Sequence, residues 1–120
     1  MRLYHYSDRP AITTKSGLCL AESPWTCQRY AEGRRGHYFA VEVPDELITA
    51  IDEEYSTEEN YHSTDSADGR EKYADTGISV VRYDDVDPSG DEHLTYRLVV
   101  DLDLAIEEIV VDEDGCEVAK

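Results

Sequence analysis

"GISVVRYDDVDPSGDEHLTYRLVV", residues 77–100, decides the fold class. Two runs rich in β-branched and aromatic residues, 77–86 and 93–100, flank "DPSGDE", a cluster of turn formers. That pattern predicts a β-hairpin over 78–100. On its C-terminal side, "AIEEIVV" reads as another strand, "DEDG" as a turn and "CEVA" as a last short strand. On its N-terminal side, residues 52–76 hold few aliphatics and many Glu, Asp, Ser and Thr, which predicts a long acidic loop with a short helix near 67–74. "PDELITAI", 44–51, predicts one or two helical turns. "GHYFAVEV", 36–43, alternates cleanly and is stopped by Pro44, so it is a third strand. Ser23-Pro24 places an N-cap and a proline at the first helical position of a helix that runs over Trp25, Cys27, Tyr30 and Ala31 and ends at Gly33. Before it, "GLCLA" predicts the second strand and residues 1–6 of "MRLYHYSD" the first. Six or seven strands and one main N-terminal helix make an α+β domain over 1–120, built on a bent or split antiparallel sheet.

Composition narrows the function. Eleven basic and 28 acidic residues give a net charge of −17, which repels nucleic acid and anionic lipid as direct ligands. The charge is uneven. Residues 1–43 carry six basic and four acidic side chains, residues 44–75 two and eleven, and residues 76–120 three and thirteen. Cys19, Cys27 and Cys116 show no metal-ligand spacing and read as reduced, mostly buried thiols. No apolar run approaches the roughly 18 residues of a membrane span, and no signal-peptide layout opens the chain, so a soluble cytoplasmic protein is expected.

His5 poses the chemical question. Alternation places it on the same strand face as Leu3, where a core side chain is expected. A histidine there is either a satisfied core residue, its ring bonded to a backbone carbonyl, or the floor of a binding cleft.

The stretches "LYHYSD", "GLCLAE", "QRYA" and "HYFAVEV" together resemble the start of small ADP-ribosyltransferase-fold proteins, and "SVVRYDDVDPSGDEHLTYRLV" is similar to their closing hairpin. The group most resembled is the bacteriophage anti-CRISPR ADP-ribosyltransferases. The resemblance implies an ADP-ribosyltransferase-like fold, NAD as cofactor and a protein target, such as a basic CRISPR or other nucleic-acid-binding complex in a host cytoplasm. It implies that His5 bonds a ribose hydroxyl, that Tyr30 stacks on the nicotinamide ring with Tyr38 as a second aromatic, and that Tyr6 and Ser7 complete the cofactor contacts. Arg9 is the favoured partner for the pyrophosphate among Arg2, Arg9, Arg29, Arg34 and Arg35. Where the family carries a catalytic Glu, this chain has Asp85, with Asp84 as next choice, and it lacks a Glu-x-Glu there. If NAD binds, His5, Tyr30 and Asp85 should line one concave site with a first-third arginine beside it, whereas Asp85 on the opposite side of the sheet from His5 would put a non-catalytic acidic inhibitor first.

Two other readings rest on charge. A non-catalytic acidic inhibitor would mimic DNA and cover a basic nucleic-acid-binding surface. A salt-adapted protein would carry acidity as a coat.

Overall fold

The computed structural model describes residues 1–51 and 64–118, and in them α+β architecture is plain. Eight strands form one mixed sheet: β1 Arg2–Ser7, β2 Cys19–Ala21, β3 His37–Glu42, β4 Ile48–Ala50, β5 Val80–Val86, β6 Glu92–Leu98, β7 Ile106–Val111 and β8 Glu117–Val118. Their order across the sheet is β4-β5-β6-β2-β1-β3-β7-β8. Two helices complete it, α1 Pro24–Ala31 and α2 Ala67–Asp75.

Three expectations need correction. Residues 44–51 form a single 3-10 turn, Asp45–Leu47, and then β4 rather than helical turns. Ile48 and Thr49 are β-branched, and the open edge of β5 offers them a parallel ladder, Ile48 opposite Val80 through Ala50 opposite Arg82. The sheet is therefore not wholly antiparallel, and it has eight strands. Second, α1 ends one residue early: Glu32, at φ 51°, is its left-handed cap, and Gly33 follows at φ 79°. Third, of the cysteines only Cys27 is buried, Cys19 is half-buried and Cys116 exposed; all three are free. Of the expected acidic loop, residues 52–63 lie outside the described residues, and 67–75 form α2, capped by the Ser66 hydroxyl accepting from Gly69 N. Among the described residues, no helix is long and apolar enough to cross a membrane.

Ladder register sorts the side chains onto two faces, because residues directly opposite each other point the same way. One face carries Leu3, Leu20, Val41, Val80, Tyr96 and Leu98, which form the core. Two loops close over it, bringing Ile12, Leu18, Leu102 and Leu104. They are tied together where the Leu102 N–H donates to the Thr14 carbonyl and the Thr14 hydroxyl donates to the Leu102 carbonyl. Tyr96 is wholly buried, and its hydroxyl donates to Glu22 at 2.5 Å, offsetting the cost of drying a phenol.

The opposite face is covered by α1. Ser23 caps the helix by accepting from Thr26 N, a contact worth about 1 kcal/mol. Cys27 and Ala31, one turn apart, are its buried residues. The sheet curls around α1, so that the turns of two hairpins reach it. Arg29 donates to Ser89 in the β5–β6 turn at 3.0 Å, and Gln28 donates to the Asp112 carbonyl beside the β7–β8 turn at 3.0 Å. At Gly115 in that second turn, φ is +77° and a Cβ would lie 2.8 Å from the Trp25 ring, so only glycine fits without rearrangement.

Candidate functional site

A cavity of about 270 Å³ lies between α1 and the sheet, where β1 parts from β2. Those two strands share one paired position, Tyr4 opposite Ala21, before they diverge. His5, Tyr6, Tyr30, Asp85, His93 and Arg97 are among the residues that line it.

His5 fills the fork. Its Nδ1 lies 2.6 Å from the Cys19 carbonyl oxygen. A carbonyl only accepts, so Nδ1 carries the proton and Nε2 keeps its lone pair. Burial lowers the pKa of the ring and keeps it neutral. The carbonyl bond is the ordinary satisfaction of a core histidine; Nε2 has no hydrogen-bond partner among the described residues, and the residue lines the cavity.

Tyr30 and Asp85 belong to one hydrogen-bonded chain. Nδ1 of His93 lies 3.2 Å from the Leu94 carbonyl, which assigns the proton to Nδ1 and leaves Nε2 to accept. The Tyr30 hydroxyl donates to that Nε2 at 2.6 Å, and the two rings meet edge to face at 5.4 Å. Burial pushes the Tyr30 phenol up to about 12, with the charges of Asp85 and Asp87 adding to the rise, so it stays protonated and donating. Thr95 stands beside His93, 3.5 Å from Nδ1, and its hydroxyl donates to Asp85 Oδ2 at 3.0 Å. Asp85 Oδ1 accepts the Val86 N–H at 2.8 Å.

Arg97 closes one wall. Its Nε donates to Cys19 Sγ at 2.8 Å, and one terminal nitrogen donates to Thr64 Oγ1 at 3.1 Å and to Asp65 at 2.5 Å. Burial raises the Cys19 pKa, against the pull of the guanidinium, so this thiol is not an activated nucleophile. Asp87 is buried but structural: Oδ1 accepts from Ser89 N and Asp91 N and closes the hairpin turn.

The other expected site residues stand elsewhere. Tyr38 does not line the cavity; it packs behind Tyr6, ring centroids 5.3 Å apart. Ser7 accepts the Arg9 N–H, and Arg9 itself is exposed in the turn after β1. Asp84 lies opposite Leu94, on the core-facing side of the sheet, because successive strand residues alternate. No arginine of the first third lines the cavity. Arg2 is held by Glu117, Glu107 and Glu42 at 3.0, 3.3 and 3.4 Å. Arg29 stacks over Trp25 at 4.3 Å, and Arg34 donates to the last carbonyls of α1 and pairs with Asp8.

His93, Thr95 and Arg97 were the residues that sequence reasoning missed. The signal was present: in "EHLTYRL" these three alternate with Leu94, Tyr96 and Leu98, so one face of β6 is polar along its length. Among the described residues, no cluster of His, Cys, Asp and Glu is arranged to hold a metal ion. Comparisons with protein-family models, with curated proteins and with solved structures found no match.

Proposed function

We propose that the chain is an NAD-dependent mono-ADP-ribosyltransferase that modifies a protein. The observation that carries this reading is the convergence of His5, Tyr30 and Asp85 on one cavity whose donors are largely committed inside the protein. Tyr30 gives its proton to His93, Thr95 to Asp85 and His5 to Cys19. What is left to face a ligand is the Asp85 carboxylate, the lone pair on His5 Nε2 and the ring of Tyr30, since the Tyr6 ring already has Arg34 over it at 5.7 Å and Tyr38 beside it. Such a set suits a flat cation that carries hydroxyl donors, as the nicotinamide riboside end of NAD does.

Size agrees with that end alone. A cavity of about 270 Å³ is at the lower limit of small-molecule sites, so the phosphates and adenosine would lie outside it. Arg97 is held by Asp65, Thr64 and Cys19, while Arg9 and Arg35, both exposed, have no ion pair among the described residues. They are the arginines of the first third left for an anionic segment.

When bound, NAD would supply ADP-ribose on a cationic leaving group: the bond from the ribose to the ring nitrogen breaks, its electron pair stays with nicotinamide, and a nucleophilic side chain of the target bonds the ribose and loses a proton. Asp85 places negative charge where positive charge grows on the sugar, and that interaction strengthens toward the transition state. His5 Nε2 accepts from a ribose hydroxyl and fixes the sugar. Tyr30 offers its ring face to the cation. The acidic remainder of the chain favours a basic target, such as a nucleic-acid-binding host defence complex that a phage protein would inhibit.

Charge alone favours a second reading, an acidic inhibitor without catalysis that covers the same kind of surface. Thermal melting with millimolar NAD separates them. Binding to the native state raises the midpoint by mass action. An unchanged midpoint across that range overturns the transferase and leaves the inhibitor.

A further inference from the structure

We propose that His93 is the positioning residue of this cavity, setting the ring of Tyr30 and joining it through Thr95 to Asp85. The inference rests on the transferase reading for its consequence, but the geometry stands without it.

A tyrosine near the end of a two-turn helix depends on contacts outside the helix to hold its ring, and besides His93 its hydroxyl has only a long contact to the Val86 carbonyl, at 3.5 Å. α1 is eight residues long, and Tyr30 is its penultimate residue. Rotation about its side-chain bonds would swing the phenol toward solvent. His93 prevents this in two ways: Nε2 accepts the phenol proton at 2.6 Å, and the imidazole meets the phenol ring edge to face. The same histidine is fixed from below by the Leu94 carbonyl. On β6, Thr95 follows two positions away on the same face and holds Asp85, which lies directly opposite His93 in the β5–β6 ladder. One cross-strand pair therefore carries both walls of the cavity, the aromatic one through His93 and the anionic one through Asp85.

The arrangement also assigns what Tyr30 presents. Its hydroxyl is engaged within the protein, by His93 Nε2 at 2.6 Å and more distantly by the Val86 carbonyl at 3.5 Å, so it meets a ligand with its ring and not with its hydroxyl. A merely structural pair would tolerate any replacement that keeps the protein folded. A positioning residue requires an acceptor at the place of Nε2.

The test uses the full chain with ¹³C-labelled tyrosine and the variants His93→Phe and His93→Gln. Phe fills the space without an acceptor; Gln brings an amide oxygen to the place of Nε2. The Tyr30 ring resonances should shift and broaden in His93→Phe and return toward the wild type in His93→Gln. NAD should bind about tenfold more weakly to His93→Phe, the loss of roughly one hydrogen bond's ordering effect, with most of the affinity recovered in His93→Gln. Unchanged Tyr30 resonances in folded His93→Phe overturn the proposal, as does a folded His93→Gln that behaves like His93→Phe. If His93→Phe does not fold, Tyr30→Phe provides the reading from the other side. The His93 Nε2 resonance should move when its donor is lost, and an unmoved resonance overturns the proposal. Failure of the wild type to bind NAD would remove the transferase reading, while the Tyr30 resonances still decide the role of His93.

Discussion

Asp85 and His5 point to opposite faces of the sheet by register and yet line one cavity. The fork between β1 and β2 makes this possible. Past Tyr4 and Ala21 the ladder is open, and the His5 ring occupies the gap that a continued ladder would close. The site is therefore made by an interruption of the sheet, and two side chains that alternation separates line one cavity through it.

Because Nδ1 of His5 is bonded to the Cys19 carbonyl while Nε2 has no partner among the described residues, the structural role and the proposed binding role can be separated by substitution. His5→Asn keeps a donor near the position of Nδ1 and removes Nε2. It should cost less than about 1 kcal/mol of stability by denaturant titration, while NAD affinity falls on the order of tenfold by calorimetry. Equal losses in both measurements would show that His5 only builds the fold.

The same ring gives the stability a pH dependence of known sign. Burial lowers the folded pKa below the ordinary 6.5, so the unfolded chain takes up the proton first. The contribution of neutral His5 is complete above pH 6.5 and is lost as pH falls through the folded pKa. Wild type minus His5→Asn, compared by melting from pH 7.5 downward, should isolate that slope. A difference independent of pH would refute it.

Asp84 and Asp85 are neighbours in sequence, but only Asp85 lines the cavity. On the proposed transferase reading, in which its contribution would grow with the charge on the sugar, Asp85→Asn should lower transfer by about 10²–10³-fold with NAD binding largely intact. Asp84→Asn should leave both within about twofold. Measured with labelled NAD and a target, equal effects of the two substitutions would contradict the assignment.

Arg2 gathers Glu42 from β3, Glu107 from β7 and Glu117 from β8, and these carboxylates hold its pKa above the usual arginine value. Arg2→Ala removes the cation and leaves three like charges together. Each of these part-exposed pairs is worth little alone, so a loss of about 1–2 kcal/mol is expected, shrinking in molar salt as repulsion is screened. A penalty that grows with salt would exclude the electrostatic cause.

The three free thiols should react in the order of their exposure. Cys116 is exposed, while burial pushes the Cys27 thiol up to about 12. At pH 8, iodoacetamide followed by mass spectrometry should label Cys116 within minutes and Cys27 only after denaturant is added. Labelling of Cys27 at the same rate as Cys116 would mean that α1 does not stay packed on the sheet.

Local pattern by itself determined much of the architecture. Alternation marked β1, β3, β5 and β6, Ser23-Pro24 began α1, and "DPSGD" closed the hairpin, with Asp87 accepting from Ser89 N and Asp91 N. These are matters of nearest-neighbour stereochemistry, which a short stretch carries wherever it is placed. Tertiary structure alone decided the rest. Residues 48–50 became a strand because the edge of β5 was there to pair with, and no signal within "PDELITAI" describes that edge. The choice of Asp85 over Asp84, and of Arg97 over the five arginines of the first third, followed from register and curvature. Both depend on pairing between residues far apart in the chain, and a one-residue change of register would have turned Asp85 and Arg97 to the other face.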